Sequence, residues 1–132
     1  METGIYKIII VDDDNTNLAI AKNLLNDRYE IITVKSGEKL FEILENVTPD
    51  LILLDIKMPV MNGFEVIIDL KNSERTADIP VIFLTAMDDP DSEAMGLYLG
   101  AVDYIYKPFT KEHITESIEK HLPMDKKSES KN

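Results

Sequence analysis

Short β-branched apolar runs recur along this 132-residue chain at intervals too long for hairpins. They are Tyr6–Val11, Glu30–Val34, Asp50–Leu54, Pro80–Leu84 and Ala101–Tyr106. Several are nearly continuous rather than alternating, as expected of strands covered on both faces of a parallel sheet. Helical spacing fills the gaps. Leu18, Ala21 and Leu25 form one stripe, Leu40, Phe41 and Leu44 a second, and Phe64, Ile67 and Ile68 a third, followed by Lys71. A fourth helix is expected from Pro90, with Asp89 as its N-cap, ending before Gly100 at a left-handed position. Ile114, Ile118 and Leu122 mark the last helix, and Pro123 stops it. Strict alternation of strand and helix predicts a doubly wound α/β domain, with right-handed crossovers placing helices on both faces.

One domain is expected, over residues 1–123, followed by a polar tail or linker stub, MDKKSESKN, at 124–132. The chain holds 14 basic and 25 acidic residues, a net charge of −11. That field repels nucleic acid and anionic membranes, so neither is an expected partner. There is no cysteine, which removes disulfides and thiolate chemistry, and two histidines are too few for a histidine-built zinc site. No apolar run approaches the length of a membrane span, and the N-terminus lacks the pattern of a signal peptide. A cytoplasmic location is the corresponding expectation.

In an open parallel sheet, ligands bind beyond the carboxyl ends of the strands. The residues there are Asp12, Asp13 and Asp14 after the first run and Asp55 after the third. Thr85 and Ala86 follow the fourth, and Lys107-Pro108 follows the fifth. The fold brings these to one edge. Like carboxylates at close range destabilise one another, and a hard oxygen-seeking cation such as magnesium relieves that. The aspartate run also suits a helix N-terminus, with Asp14 or Asn15 as cap, but that does not explain an aspartate closing an apolar strand at Asp55. Lys107 alone reads more readily as a solvent-facing turn residue. Together, carboxylates, hydroxyl and ammonium are equipment for a phosphoryl group. Neither GxGxxG nor GxxxxGK[ST] is present, which argues against a nucleotide cradle.

Four segments in order, IIIVDDDNTNL, PDLILLDIKMPVMNG, PVIFLTA and GAVDYIYKPF, closely resemble the receiver domain of two-component response regulators. The likeness runs from Lys7 to Leu122. It implies a flavodoxin-like (βα)5 fold with strand order 2-1-3-4-5. It implies Asp55 as phosphoacceptor and Asp12, Asp13 and Asp55, with the Lys57 backbone carbonyl, as ligands of magnesium or manganese. Thr85 becomes the switch hydroxyl, Lys107 the phosphoryl-binding lysine, and Tyr104 the switch aromatic. Met58-Pro59 and Gly63 match the loop after the phosphoacceptor strand, while Val102 departs from a commonly polar position. Implied partners are a sensor histidine kinase or phosphotransfer domain, and an effector protein or a C-terminal output domain.

The resemblance further implies a changing surface on the fourth helix, fifth strand and fifth helix, and a homodimer through that face. Met95, Tyr98, Tyr104 and Ile105 are expected on or near it, and Gly96 is expected to soften the fourth helix by about 1 kcal/mol relative to alanine. Lys57 and Met87 flank the expected water path to the phosphoryl group. Neither is a carboxylate or amide, so slow self-dephosphorylation is expected. Three rival readings are an aspartyl-nucleophile magnesium phosphatase, a pseudo-receiver that only binds partners, and a flavin binder. The phosphatase commonly carries an acid two residues after its nucleophile, where this chain has Lys57. The pseudo-receiver lacks a key carboxylate or the lysine. The flavin phosphate is repelled by Asp12 to Asp14.

Overall fold

The structure, a computed structural model, describes residues 5–86 and 90–122. Five strands, β1 (Lys7–Val11), β2 (Glu30–Val34), β3 (Leu51–Leu54), β4 (Val81–Thr85) and β5 (Asp103–Tyr106), alternate with five helices. These are α1 (Asn15–Leu25), α2 (Gly37–Leu44), α3 (Gly63–Lys71), α4 (Pro90–Tyr98) and α5 (Lys111–His121). All strand pairs are parallel, in the order β2-β1-β3-β4-β5. The expected fold class is therefore the observed one. Among the described residues no helix is long and apolar enough to cross a membrane.

The apolar runs are continuous because successive residues enter two different cores. Ile9, Val11, Ile52, Leu54, Val81, Phe83 and Tyr104 face one side, against Leu40, Leu44, Val66, Ile67 and Leu70 of α2 and α3. Ile8, Ile10, Leu51, Leu53, Ile82, Leu84 and Ile105 face the other, against Leu18, Ala21 and Leu25 of α1 and Ile114 and Ile118 of α5. Each strand of the central pair β1 and β3 is buried throughout Ile8–Val11 and Leu51–Leu54. Burying one such side chain stabilises by about 1.5–3 kcal/mol, so these strands anchor the edge from which the acidic residues project.

Local chemistry sets the element ends. The Asp14 carboxylate accepts from the backbone N–H groups of Thr16 and Asn17 and caps α1. Asn62 and Glu65 form a reciprocal capping box on α3. Gly100 has φ +120°, as its place after α4 requires. The expected cap Asp89, the stop at Pro123 and the tail at 124–132 lie outside the described residues.

Several expectations are corrected. The α3 stripe is Val66, Ile67 and Leu70, and Ile68 is exposed, because the cap at Asn62 sets the helix phase. Thr85 is the last residue of β4 rather than the first after it. Ile105 is not on the α4 face. It is buried against α1 and α5, since neighbouring residues of a strand point to opposite sides. Gly96 has a packing role beyond its helix propensity. A Cβ there would stand 2.8 Å from Phe83 Cδ2 and 3.4 Å from Tyr104 Cδ2, so α4 rests directly on those rings. Its cost in helix propensity is offset by that close packing. Met95 and Tyr98 are exposed on α4, as expected.

Candidate functional site

The sheet edge gathers the expected residues into one cleft of about 250 Å³, lined by Asp12, Asp13, Asp55, Lys57, Thr85 and Lys107 among others. Asp12 leaves β1 and is 4% exposed, and its Oδ1 accepts from the Asp14 backbone N–H at 3.0 Å. Asp55 leaves β3 and is 7% exposed. Its backbone N–H donates to the Val11 carbonyl at 2.9 Å, which ties the ends of β1 and β3 together. Its Oδ1 accepts from the Ile56 backbone N–H at 2.9 Å. Thr85, fully buried, lines the same cleft as the Asp55 carboxylate.

Lys107 follows β5, where the Lys107–Pro108 peptide is cis. Its Nζ lies 2.7 Å from Asp12 Oδ2 and 3.8 Å from Asp55 Oδ2. Its backbone N–H donates to the Thr85 carbonyl at 2.8 Å. The ammonium thus bridges two buried carboxylates, and the turn alternative for Lys107 gives way to an inward one. Burial pushes the Asp55 carboxyl above its usual range; Lys107 opposes that, Asp12 adds to it, and the nearby Thr85 hydroxyl and the bond from Ile56 oppose it.

Asp12, Asp13 and Asp55 each offer a carboxylate oxygen, and these atoms lie within 4.8 Å of one another. An all-oxygen donor set with one exposed member fits a hard divalent cation that keeps some of its water. Lys57 is exposed at the same cleft, while Met87 lies outside the described residues. Tyr104 is buried, on the α4 side of β5.

Sequence reasoning placed Gly63 in the loop but missed what it does. A Cβ at Gly63 would stand 2.4 Å from the Asp55 carbonyl oxygen and 2.8 Å from the Ile56 Cα. The Gly63 N–H donates to the Ile56 carbonyl at 2.8 Å. Backbone atoms just past the end of β3, where the Asp55 N–H is tied to the Val11 carbonyl, cannot yield as a flexible side chain can. Gly63→Ala is therefore expected to cost about 3 kcal/mol of stability by overpacking, measured by urea unfolding. Parent-like stability would show that α3 can back away from the strand end.

Comparison with known proteins agrees with this geometry. The family model of the response regulator receiver domain matches residues 8–119. A probable cyclic di-GMP phosphodiesterase of Vibrio cholerae is 44% identical over 115 residues, which are 87% of this chain and 26% of that protein. The alkaline phosphatase synthesis transcriptional regulatory protein PhoP of Bacillus subtilis is 34% identical over 113 residues, 85% of this chain and 46% of that one. Among solved structures, the chemotaxis protein CheY4 of Vibrio cholerae superposes with a TM-score of 0.84 at 27% identity, covering 89% of this chain and 99% of that one. The chain belongs to the response regulator receiver family, and it is a receiver domain of the two-component type. It spans about a quarter to a half of the length of these two curated relatives.

Proposed function

We propose that this receiver is a phosphorylation-dependent switch in which Asp55 accepts a phosphoryl group from a histidine kinase or phosphotransfer domain. The convergence of Asp12, Asp13, Asp55, Thr85 and Lys107 on one cleft carries this reading. An Asp55 carboxylate oxygen attacks the phosphorus of a phosphohistidine. The P–N bond breaks, the imidazole leaves with its electron pair, and an aspartyl phosphate remains. Lys107 would offset negative charge on the transferring oxygens, and Thr85 would donate to one of them. Asp12, Asp13 and Asp55 would hold magnesium, or manganese, with the Lys57 carbonyl as a further ligand. The ion supplies charge neutralisation at the phosphoryl oxygens. Lys57 has no side-chain acceptor with which to orient water, which favours slow hydrolysis of the product.

Residues 1–123 form the receiver unit on this reading, with the tail leading to an output domain or ending near an effector. The surface of α4, β5 and α5 carries the change outward and is the face offered to an effector or to a second copy. The 44% identity to a probable cyclic di-GMP phosphodiesterase favours cyclic-dinucleotide hydrolysis as the class of output under control.

Incubation with acetyl phosphate tests the reading. With magnesium, intact-mass measurement should show a single gain of about 80 Da that persists after donor removal. The gain should be absent when the cation is chelated. Steady release of inorganic phosphate with no lasting mass gain would favour the phosphatase alternative. No gain and no release would favour the pseudo-receiver.

A further inference from the structure

The register of the sheet places Tyr106 directly beside Thr85, and Tyr104 beside Phe83. All four side chains share the α4 side of the sheet, because paired residues of parallel strands point the same way and i, i+2 residues share a face. The rings form a row. Phe64 meets Phe83 edge-on at 5.7 Å between centroids, Phe83 meets Tyr104 at 6.0 Å, and Tyr104 meets Tyr106 edge-on at 5.4 Å. Gly96 lets α4 lie against the middle of this row. At the outer end the Tyr106 hydroxyl donates to Glu93 Oε1 at 2.5 Å. Glu93 is three residues before Gly96 and therefore on the same face of α4.

Tyr104 is thus enclosed by Phe83 on one side, Gly96 beneath and Tyr106 on the other, and Tyr106 is itself tied to α4 through Glu93. We infer that Tyr106 and Glu93 are positioning residues, a latch that holds Tyr104 in its buried place and α4 against β5. The latch connects to the cleft through Thr85, which neighbours Tyr106 in the ladder and lines the cleft together with Asp55. A hydrogen bond from a hydroxyl to a carboxylate is among the stronger uncharged-to-charged contacts, and here it joins α4 and β5 at the ends away from the short loop that connects them. Breaking it lowers the population of the arrangement in which Thr85 and Tyr104 both point inward. A group that binds at Asp55 and needs that arrangement must then bind more weakly, in proportion to the lost population.

The consequence for phosphoryl binding rests on the proposed phosphoacceptor role of Asp55, whereas the enclosure of Tyr104 does not, so the test has two arms. In the first, beryllofluoride with magnesium serves as the phosphoryl mimic. Its affinity is measured for the parent, Tyr106→Phe, Glu93→Ala and the double variant. Each single change is expected to weaken the mimic by about 3- to 10-fold while leaving affinity for magnesium alone unchanged. The double variant should be no weaker than either single one, because both remove the same contact. A contact that only stabilises the fold would lower the melting temperature and leave the affinity for the mimic alone. Parent-like affinity in Tyr106→Phe, or losses that multiply in the double variant, would overturn the latch.

In the second arm, the ring signals of Tyr104 are followed by NMR in the unliganded proteins. Tyr106→Phe is expected to shift them toward the values of a solvent-exposed ring. If the parent neither binds the mimic nor gains a phosphoryl group, the phosphoacceptor reading falls by itself. The ring signals still decide the latch: an unmoved Tyr104 in Tyr106→Phe would overturn it.

Discussion

Asp55→Asn is expected to abolish the gain of about 80 Da from acetyl phosphate and, in the same protein, to raise the stability of the metal-free fold. The amide has nearly the shape of the carboxylate and keeps an oxygen for the Ile56 backbone N–H, but it is no nucleophile. It also removes a negative charge that is 7% exposed and beside buried Asp12. Replacing a poorly compensated buried charge by a neutral group stabilises by roughly 1 kcal/mol or more. The pH dependence has a definite sign. Burial holds the Asp55 carboxyl above its usual range, so the protonated folded form is favoured. That contribution is fully present below the ordinary carboxylate value and is lost as pH rises through the raised one. With the cation chelated, the parent and Asp55→Asn should therefore unfold at similar urea concentrations in acid and separate toward neutral pH, the variant being the more stable. A variant that is less stable at neutral pH would mean that the pairing with Lys107 outweighs the burial of the charge. A variant that still gains the mass would remove Asp55 from the reaction.

Lys107→Ala is expected to slow phosphoryl uptake by about 100-fold or more, the usual effect of removing one well-placed charge from a transferring group. Its effect on stability has the opposite sign to that of Asp55→Asn. The ammonium stands 2.7 Å from Asp12 and 3.8 Å from Asp55, with side chains only 15%, 5% and 9% exposed. Without it the two carboxylates remain buried beside each other, and breaking a buried pair in this way costs about 3 kcal/mol. Magnesium offers the same compensation from the other side. Added magnesium should therefore restore much more stability to Lys107→Ala than to the parent, while the rate of uptake stays low. Urea unfolding with and without magnesium, and the rate of mass gain, measure both quantities. Equal stabilisation of the two proteins by magnesium would show that the cation does not sit against the same carboxylates.

The alternation of elements was legible in the sequence because strands covered on both faces read as unbroken apolar runs, while helices keep a stripe. The candidate site was legible for a related reason. A parallel sheet sends every strand end to one edge, so Asp12, Asp55, Thr85 and Lys107 could be grouped without coordinates. Cap chemistry is local as well: the Asp14 carboxylate caps α1, and Gly100 takes a positive φ because it has no Cβ. The limits were equally physical. Tyr104 and Ile105 are both apolar enough for either core, so only the strand's phase in the sheet decides that one faces α4 and the other α1 and α5.

The amino-acid sequence by itself determined the order of strands and helices, the edge on which the acidic residues stand and the identity of the groups gathered there. Those properties follow from neighbours in the chain and from rules common to parallel sheets. Tertiary structure alone decided the contacts between elements far apart in sequence. It brought Lys107 onto Asp12, set Gly63 against the backbone of Asp55, and laid Gly96 on the rings of Phe83 and Tyr104. It also joined Tyr106 to Glu93. Gly96 shows why the two differ. Read locally, a glycine in a helix costs backbone entropy and suggests softness; read in the packed molecule, its missing Cβ is the space that a neighbouring ring fills.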